Sequence, residues 1–185
     1  MKKTLLFMFA MMVACVSSAV AQVNDKIVEA GNYKLHILKA GENVALVVEG
    51  CDAVALIDAN TDAERVAQSV DKPVALRING FQPQGEQVKA GDTVVKDGMI
   101  FHFPKGIDQA IVIGGKFFFS DRVPQPADVD NLATPSAAEL DRMIVATKLA
   151  VKRGCQYYID SKGNCSTLAE MKKVVSTLKV MKKRK

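Results

Sequence analysis

Histidine occurs twice in these 185 residues, tryptophan not at all and cysteine four times. Two imidazoles leave little material for a multi-histidine metal centre, and no Cys/His cluster lies near His36 or His102. Both fall on strand-like runs, where a histidine ordinarily serves as a surface or hydrogen-bonded sheet residue. No aromatic platform interleaved with basic residues is present, so the chain offers no nucleic-acid surface. A Gly-x-Ser-x-Gly elbow is also missing. Gly114-Gly115-Lys116 is not a phosphate loop, because the position that needs the earlier glycine holds Ala110. Asp128 and Asp130 are a carboxylate pair in a proline-bearing loop with nothing to position them for acid–base work. Long apolar runs are lacking too: the stretch 4–13 falls short of the ~20 residues that cross a bilayer.

What stands at the N-terminus is an export signal. Met1-Lys2-Lys3 is a basic head, 4–13 is almost wholly apolar, and Ala19-Val20-Ala21 is a small-residue cleavage site. Cleavage after Ala21 leaves a single domain, 22–185, in the periplasm or secreted. Met12-Val13-Ala14-Cys15 approximates a lipobox, and the alternative is a lipoprotein anchored through Cys15. Two of the 25 basic residues belong to the leader, leaving 23 against 20 acidic ones. The tail Lys182, Lys183, Arg184 and Lys185 carries four charges of its own, so the body is close to neutral. Such a run is a solvated helix end that complements the helix dipole, or a contact with an anionic membrane surface or an acidic partner. Three cysteines remain after cleavage. Cys155 opens a strand and Cys165 the following helix, which separates them beyond disulfide reach and leaves Cys155 as a buried apolar residue.

Strands are predicted over 33–39, 44–49 and 53–58, joined by tight turns into an antiparallel meander. Thr61 to Glu64 reads as a capping box opening a helix through Val66, Ala67 and Val70 that Pro73 ends. The apolar run 74–78 is a strand buried on both faces. Short strands follow over 93–96, 99–103, 110–113 and 116–120, and Pro124, Pro126 and Pro135 mark a loop. Ser136 with Glu139 starts a long helix through Leu140, Met143, Ile144, Thr147 and Val151, ending at Gly154. A last strand over 156–159 and a helix capped by Thr167 and Glu170 complete the order. Strands, helix, strands, helix, strand, helix suits a two-layered β core with helices outside.

Three local signatures sit in that order. Ala55-Leu56-Ile57-Asp58-Ala59-Asn60 is similar to a strand ending in an IDTG-type turn, Phe118-Phe119-Ser120-Asp121 to a strand ending in Gly-Asp, and Ile159-Asp160-Ser161-Lys162-Gly163 to a PGHG segment. Together they resemble the metallo-β-lactamase fold, an αββα sandwich of α/β (α+β) type that houses zinc-dependent hydrolases. The resemblance implies a zinc site from which the histidines are missing. It sets Gly80, Gln82 and Gly85 where three histidines stand, Gln84 for an aspartate, Gly106 for a further histidine and Lys162 for the last; Asp121 is retained. Glycine has no donor, glutamine is a poor zinc ligand and a lysine amine is protonated at neutral pH.

No catalytic residue, metal or cofactor is therefore expected. The reading is a non-catalytic pseudo-hydrolase that binds a small molecule or a protein partner through the former cleft, with Gln82, Gln84, Asp121, Lys162 and Cys165 as candidate lining residues. The alternative is a metal-free hydrolase rebuilt around Asp121, Lys162 and Cys165, in which a helix N-terminus and Lys162 lower the thiol pKa of Cys165. Asp121 is expected either to pair with Lys162 in place of zinc or to cap local N–H groups.

Overall fold

The first strands write two apolar faces at once. In the computed structural model, which describes residues 24–58, 60–84 and 87–184, β2 (Tyr33–Ala40) sends Leu35 and Ile37 to one side and Leu38 to the other. The next strand, β3 (Asn43–Glu49), divides Leu46 and Val48 from Ala45 and Val47 in the same way. Alternate side chains share a face, so a strand buried on both sides has to lie between two layers. Edge strand β1 (Asn24–Ala30), then β2, β3, β4 (Val54–Ile57), β5 (Val74–Asn79) and the two-residue β6 (Gln82–Pro83) form one sheet in sequence order. All its pairs are antiparallel except β4–β5, which α1 (Thr61–Ser69) connects as a crossover. Ala63 and Ala67 of α1 close the outer face over Val47, Val54 and Leu56.

The second sheet runs β12 (Cys165–Thr167), β11 (Tyr157–Ile159), β10 (Phe117–Ser120), β9 (Ala110–Ile113), β8 (Met99–His102), β7 (Thr93–Lys96), with β10 and β11 parallel. Phe117 and Phe119 face the first sheet, whereas Phe118 packs beneath the helices with Leu140, Ile144, Met171 and Leu178. These belong to α3 (Ala137–Lys152) and α4 (Leu168–Lys183), with α2 (Pro126–Asp130) beside them. Three apolar layers, one between the sheets and one under each set of helices, make this the expected αββα sandwich. Among the described residues no helix is long and apolar enough to cross a membrane, and the leader and Lys185 lie outside them.

The caps explain where the long helices start. Ser136 Oγ accepts the Glu139 N–H, while the Glu139 carboxylate accepts the Ser136 N–H at 2.7 Å; Thr167 and Glu170 repeat the arrangement on α4. At α1 the cap is Asn60 rather than Thr61: its side-chain oxygen accepts from Asp62 and Ala63 N–H groups at 3.0 Å, so the predicted box is displaced by one residue. Two elements carry too little pattern to be predicted. Along β1 the buried positions are Val28 and Ala30 among mostly exposed residues, and α2 is one turn, opened by Pro126, that buries Val129. At the far end of α4, Lys182 pairs with Asp141, which leaves Lys183 and Arg184 exposed.

A polar cluster interrupts the outer face of the first sheet. His36 is buried, with Nδ1 3.4 Å from Asp25 Oδ2. Its Nε2 lies 3.7 Å from Glu49 Oε2 and has no hydrogen-bond partner among the described residues, which satisfy this sheet histidine on one nitrogen only. Lys72 Nζ donates to Glu49 Oε1 and to the Gly50 carbonyl, both at 2.8 Å, fastening the α1–β5 connection to β3. The Lys72 ammonium holds the Glu49 carboxyl below the usual carboxylate range. A depressed folded pKa places the pair's stabilisation above the unfolded carboxylate range, and it is lost as pH falls through the folded value. Lys72→Met should therefore cost about 1 kcal/mol near pH 7, with the deficit shrinking below about pH 4. Urea unfolding of both proteins at the two pH values checks this; a deficit that does not change with pH would sever the link to Glu49.

Candidate functional site

Strand directions bring the functional candidates to one rim. The antiparallel pairings make β2 and β4 run the same way, and β5 is parallel to β4. In the second sheet β8, β10 and β11 likewise share one direction. Two contacts across the sandwich set these carboxyl ends against each other. Phe81, just beyond β5, stacks on Phe119 of β10 with ring centroids 6.2 Å apart. Beyond β11, Gly163 lies so close to β2 that a Cβ there would come within 2.7 Å of Ile37 Cγ2 and 2.9 Å of Lys39 Cε.

The rim is built with strained backbone. Asp58, Phe81 and Gln109 have φ of 49°, 59° and 52°, a left-handed conformation that costs non-glycine residues about 1–3 kcal/mol unless the surroundings hold it. The surroundings do. The Asp58 carboxylate accepts the Gly80 N–H at 2.8 Å, Arg122 donates to Gln109 Oε1 at 3.1 Å, and the Phe81 ring is buried against Phe119. Strain of this sort concentrates where function fixes geometry.

Gln82 lines a cleft of about 530 Å³ between the β5 end and the β8–β9 connection. Its apolar walls are Phe81, Val88, Phe103 and Ile107, Gln82, Gln87 and Gln109 set amide groups around them, and Lys89 and Asp108 add one charge of each sign. Gln84 faces a separate cavity of about 260 Å³ with Asp58, Arg77 and Asn79. Asp121 borders a shallow groove of about 660 Å³ with Asp108, Arg122, Asp141 and Arg142. Cys165 lines a pocket of about 460 Å³ on the other flank of the rim, and Lys162 is exposed beside it in the sequence, on the turn before Gly163. Thus Gln82, Gln84, Asp121 and Cys165 each border a different cavity, and Lys162 is on none of these linings. Phe81, Gln87 and Gln109 were not foreseen: the left-handed turn that buries Phe81 has no signature in an aromatic residue.

Of the two roles expected for Asp121 the ion pair is not the one formed, and the setting expected for Cys165 is not found. Among the described residues no ion pair joins Asp121 to Lys162. Instead Asp121 Oδ1 accepts the Ser161 N–H at 2.8 Å, and a backbone donor thus takes the place of the ammonium. The strand end and the following loop do meet, through that bond. The second correction concerns Cys165, which lies in β12 rather than at the start of a helix; Thr167 is the cap. Burial pushes its thiol up to about 11, against the pull of Lys26, so at neutral pH it is a protonated thiol and a poor nucleophile. Cys155 is buried, with its thiol also raised to about 11, and Cys51, Cys155 and Cys165 are all free. The other histidine, His102, is engaged by Thr93 Oγ1 at 3.0 Å, and burial lowers its pKa.

The zinc that the resemblance implies can be tested against this donor set. Gly80 supplies no side chain, Gln82 and Gln84 supply amides, and Asp121 is a single carboxylate already accepting a backbone N–H; Gly85 lies outside the described residues. Among the described residues no group of three or more His, Cys, Asp or Glu side chains could hold a metal ion. These residues do not fit the metal.

No protein-family model matches the chain, and no curated protein does. Solved structures do. The crystal structure of the DIM-1 metallo-β-lactamase superposes with a TM-score of 0.54 at 15% identity, covering 86% of this chain and 99% of the other. The same enzyme exposed to ceftazidime gives 0.55 at 15% identity, covering 85% and 97%. With its two mixed sheets, its outer helices and this superposition, the chain has the metallo-β-lactamase fold.

Proposed function

We propose that this protein is an exported, non-catalytic binding protein that holds a small neutral molecule in the rim cleft of a metallo-β-lactamase fold. One observation carries the reading. Around Gln82 the chain presents Phe81 and Phe103 with three glutamine amides, and the two charges on the lining, Lys89 and Asp108, are of opposite sign. Neutral amides donate and accept hydrogen bonds but neither ionise water nor bind zinc well. A volume near 530 Å³ falls within the range of small-molecule sites, which pair apolar walls with a few polar groups. The ligand suited to it has an apolar body and a hydroxyl or amide. Activity at a rebuilt metal-free site would need an activated nucleophile, and a thiol at about 11 does not supply one.

Binding and metal content test this together. Neutral amide- and alcohol-bearing aromatic fragments should shift NMR signals of Phe81, Phe103 and Ile107, and Ala90→Trp, which fills the cleft, should abolish the shifts without unfolding the protein. Elemental analysis after dialysis against zinc-free buffer should give well under one metal ion per chain. About one zinc per chain retained through dialysis overturns the reading, as does fragment binding unaffected by the tryptophan.

Export rests on the basic head, the short apolar stretch and Ala19-Val20-Ala21. Intact mass of the protein recovered from the cell envelope should correspond to a chain beginning at Gln22. A diacylglyceryl-modified Cys15 at the N-terminus would make it a lipoprotein instead.

A further inference from the structure

The pocket on the flank away from the cleft carries an excess of positive charge. Lys26 pairs in register with Ile37 across β1–β2, and Lys39 is two residues beyond Ile37, so the two lysines are diagonal neighbours on one face of the ladder. That face is the inner one, since Ile37 belongs to the layer between the sheets. Both lysines border a pocket of about 460 Å³, and among the described residues neither side chain forms a salt bridge or a hydrogen bond, Lys26 acting on Glu170 at longer range. Like charges held together on one strand face repel, which disfavours the arrangement unless a counter-charge sits between them.

Only one carboxylate on the lining bears on them, and it acts on Lys26 at a distance rather than in an ion pair. Glu170 lines the pocket, but its Oε2 accepts the Thr167 N–H at 2.7 Å and the Thr167 hydroxyl at 2.8 Å. Asp160, close behind Cys165, is buried and accepts both the Asn164 N–H and its side-chain amide at 2.8 Å. The wall itself is satisfied internally: the buried Ser166 hydroxyl donates to the buried Gln125 Oε1 at 2.6 Å, and the Gln125 amide donates to the Tyr158 carbonyl. Cys165 is a neutral thiol. Donors left free are therefore the two lysines. Gly163 keeps the mouth open, because it is left-handed at φ +70° and a side chain there would collide with the Lys39 stem.

We propose that this pocket is an oxyanion site for a small carboxylic acid or phosphate ester, with Lys26 and Lys39 as its charge-bearing contacts. It stands apart from the cleft and does not depend on the cleft being a binding site. Ile37, Pro126 and Ala127 give the wall an apolar side, which suits an anion carried on a short hydrocarbon body.

Titration of the full exported chain with butyrate, inorganic phosphate and neutral butyramide, followed by amide NMR, tests the proposal. Butyrate or phosphate should produce saturable shifts at Gly163, Asn164, Cys165 and Ser166, with butyramide giving none; which of the two anions binds more tightly distinguishes a carboxylic acid from a phosphate ester. Lys26→Gln/Lys39→Gln should weaken binding by about tenfold or more, equivalent to about 1.4 kcal/mol. Lys148→Gln, on the exposed face of α3, should leave binding unchanged. Lys39→Arg, which keeps the charge, should retain binding and guards against a double variant that fails to fold. The proposal is overturned if butyramide shifts the same amides, if the charge-free variant binds as tightly as the parent, or if neither anion saturates by about 50 mM, where a Kd near 1 mM corresponds to only about 4 kcal/mol.

Discussion

Closing a sandwich at its rim requires something to hold two strand ends that belong to different sheets, and in this protein an aromatic contact serves. Phe81 leaves β5 in a left-handed turn and lays its ring on Phe119, which belongs to β10 of the opposite sheet. The ring is buried, and burial of a side chain this size is worth about 1.5–3 kcal/mol, enough to offset the backbone strain. From that contact the rest of the rim follows. With β5 and β10 joined, the β8–β9 connection faces Phe81 across the cleft, and the loop after β11 comes against β2 through Gly163.

Carboxylates at the rim have settled into structural work. Asp58 holds Gly80, Asp121 holds Ser161 and Asp160 holds Asn164, each through a backbone N–H. Asp160 serves the loop that follows its own strand, whereas Asp58 and Asp121 accept from the loops beyond the parallel neighbours β5 and β11, and in each case a backbone donor satisfies the oxygen without a counter-ion. This explains why Asp121 does not need Lys162. A carboxylate accepting a backbone N–H and otherwise open to solvent is compensated, and drawing in a lysine would add side-chain entropy loss for the modest return of an exposed pair.

Most of the fold was legible because its strands are buried on both faces or alternate cleanly. Leu35 to Leu38, Leu56 to Ile57 and Phe117 to Phe119 could be placed by composition and period alone. The two long helices announced themselves through Ser136–Glu139 and Thr167–Glu170. Legibility failed where the energy is not local. Strand β1 is held by pairing with β2 rather than by its own apolar pattern, and β12 exists because residues 165–167 pair with β11 before the cap at Thr167 begins. That pairing also reverses the expectation for Cys165: two residues of shift exchange a helix terminus, which lowers a thiol pKa, for a half-buried strand, which raises it. The rim was legible as a location. Its subdivision was not, since Phe81, Gln87 and Gln109 reach the cleft through turns that the sequence does not mark.

The rim ends up divided by its own backbone. The loop 160–164 turns back on itself, with the Asp160 N–H bonding to the Asn164 carbonyl and the Gly163 N–H to the Asp160 carbonyl, and the Asp121–Ser161 bond ties it to the second sheet. On one side lie two aromatic rings, three glutamine amides and one charge of each sign; on the other lie two lysines, one glutamate and a protonated thiol. In a metal-centred site the cation imposes a single focus on all the strand ends, because every ligand has to point at one or two ions. Once the donors are glycine, glutamine and lysine, nothing requires the strand ends to converge. Each loop can then satisfy itself, and the edge resolves into chambers of different polarity on a fold that the interior alone is sufficient to hold.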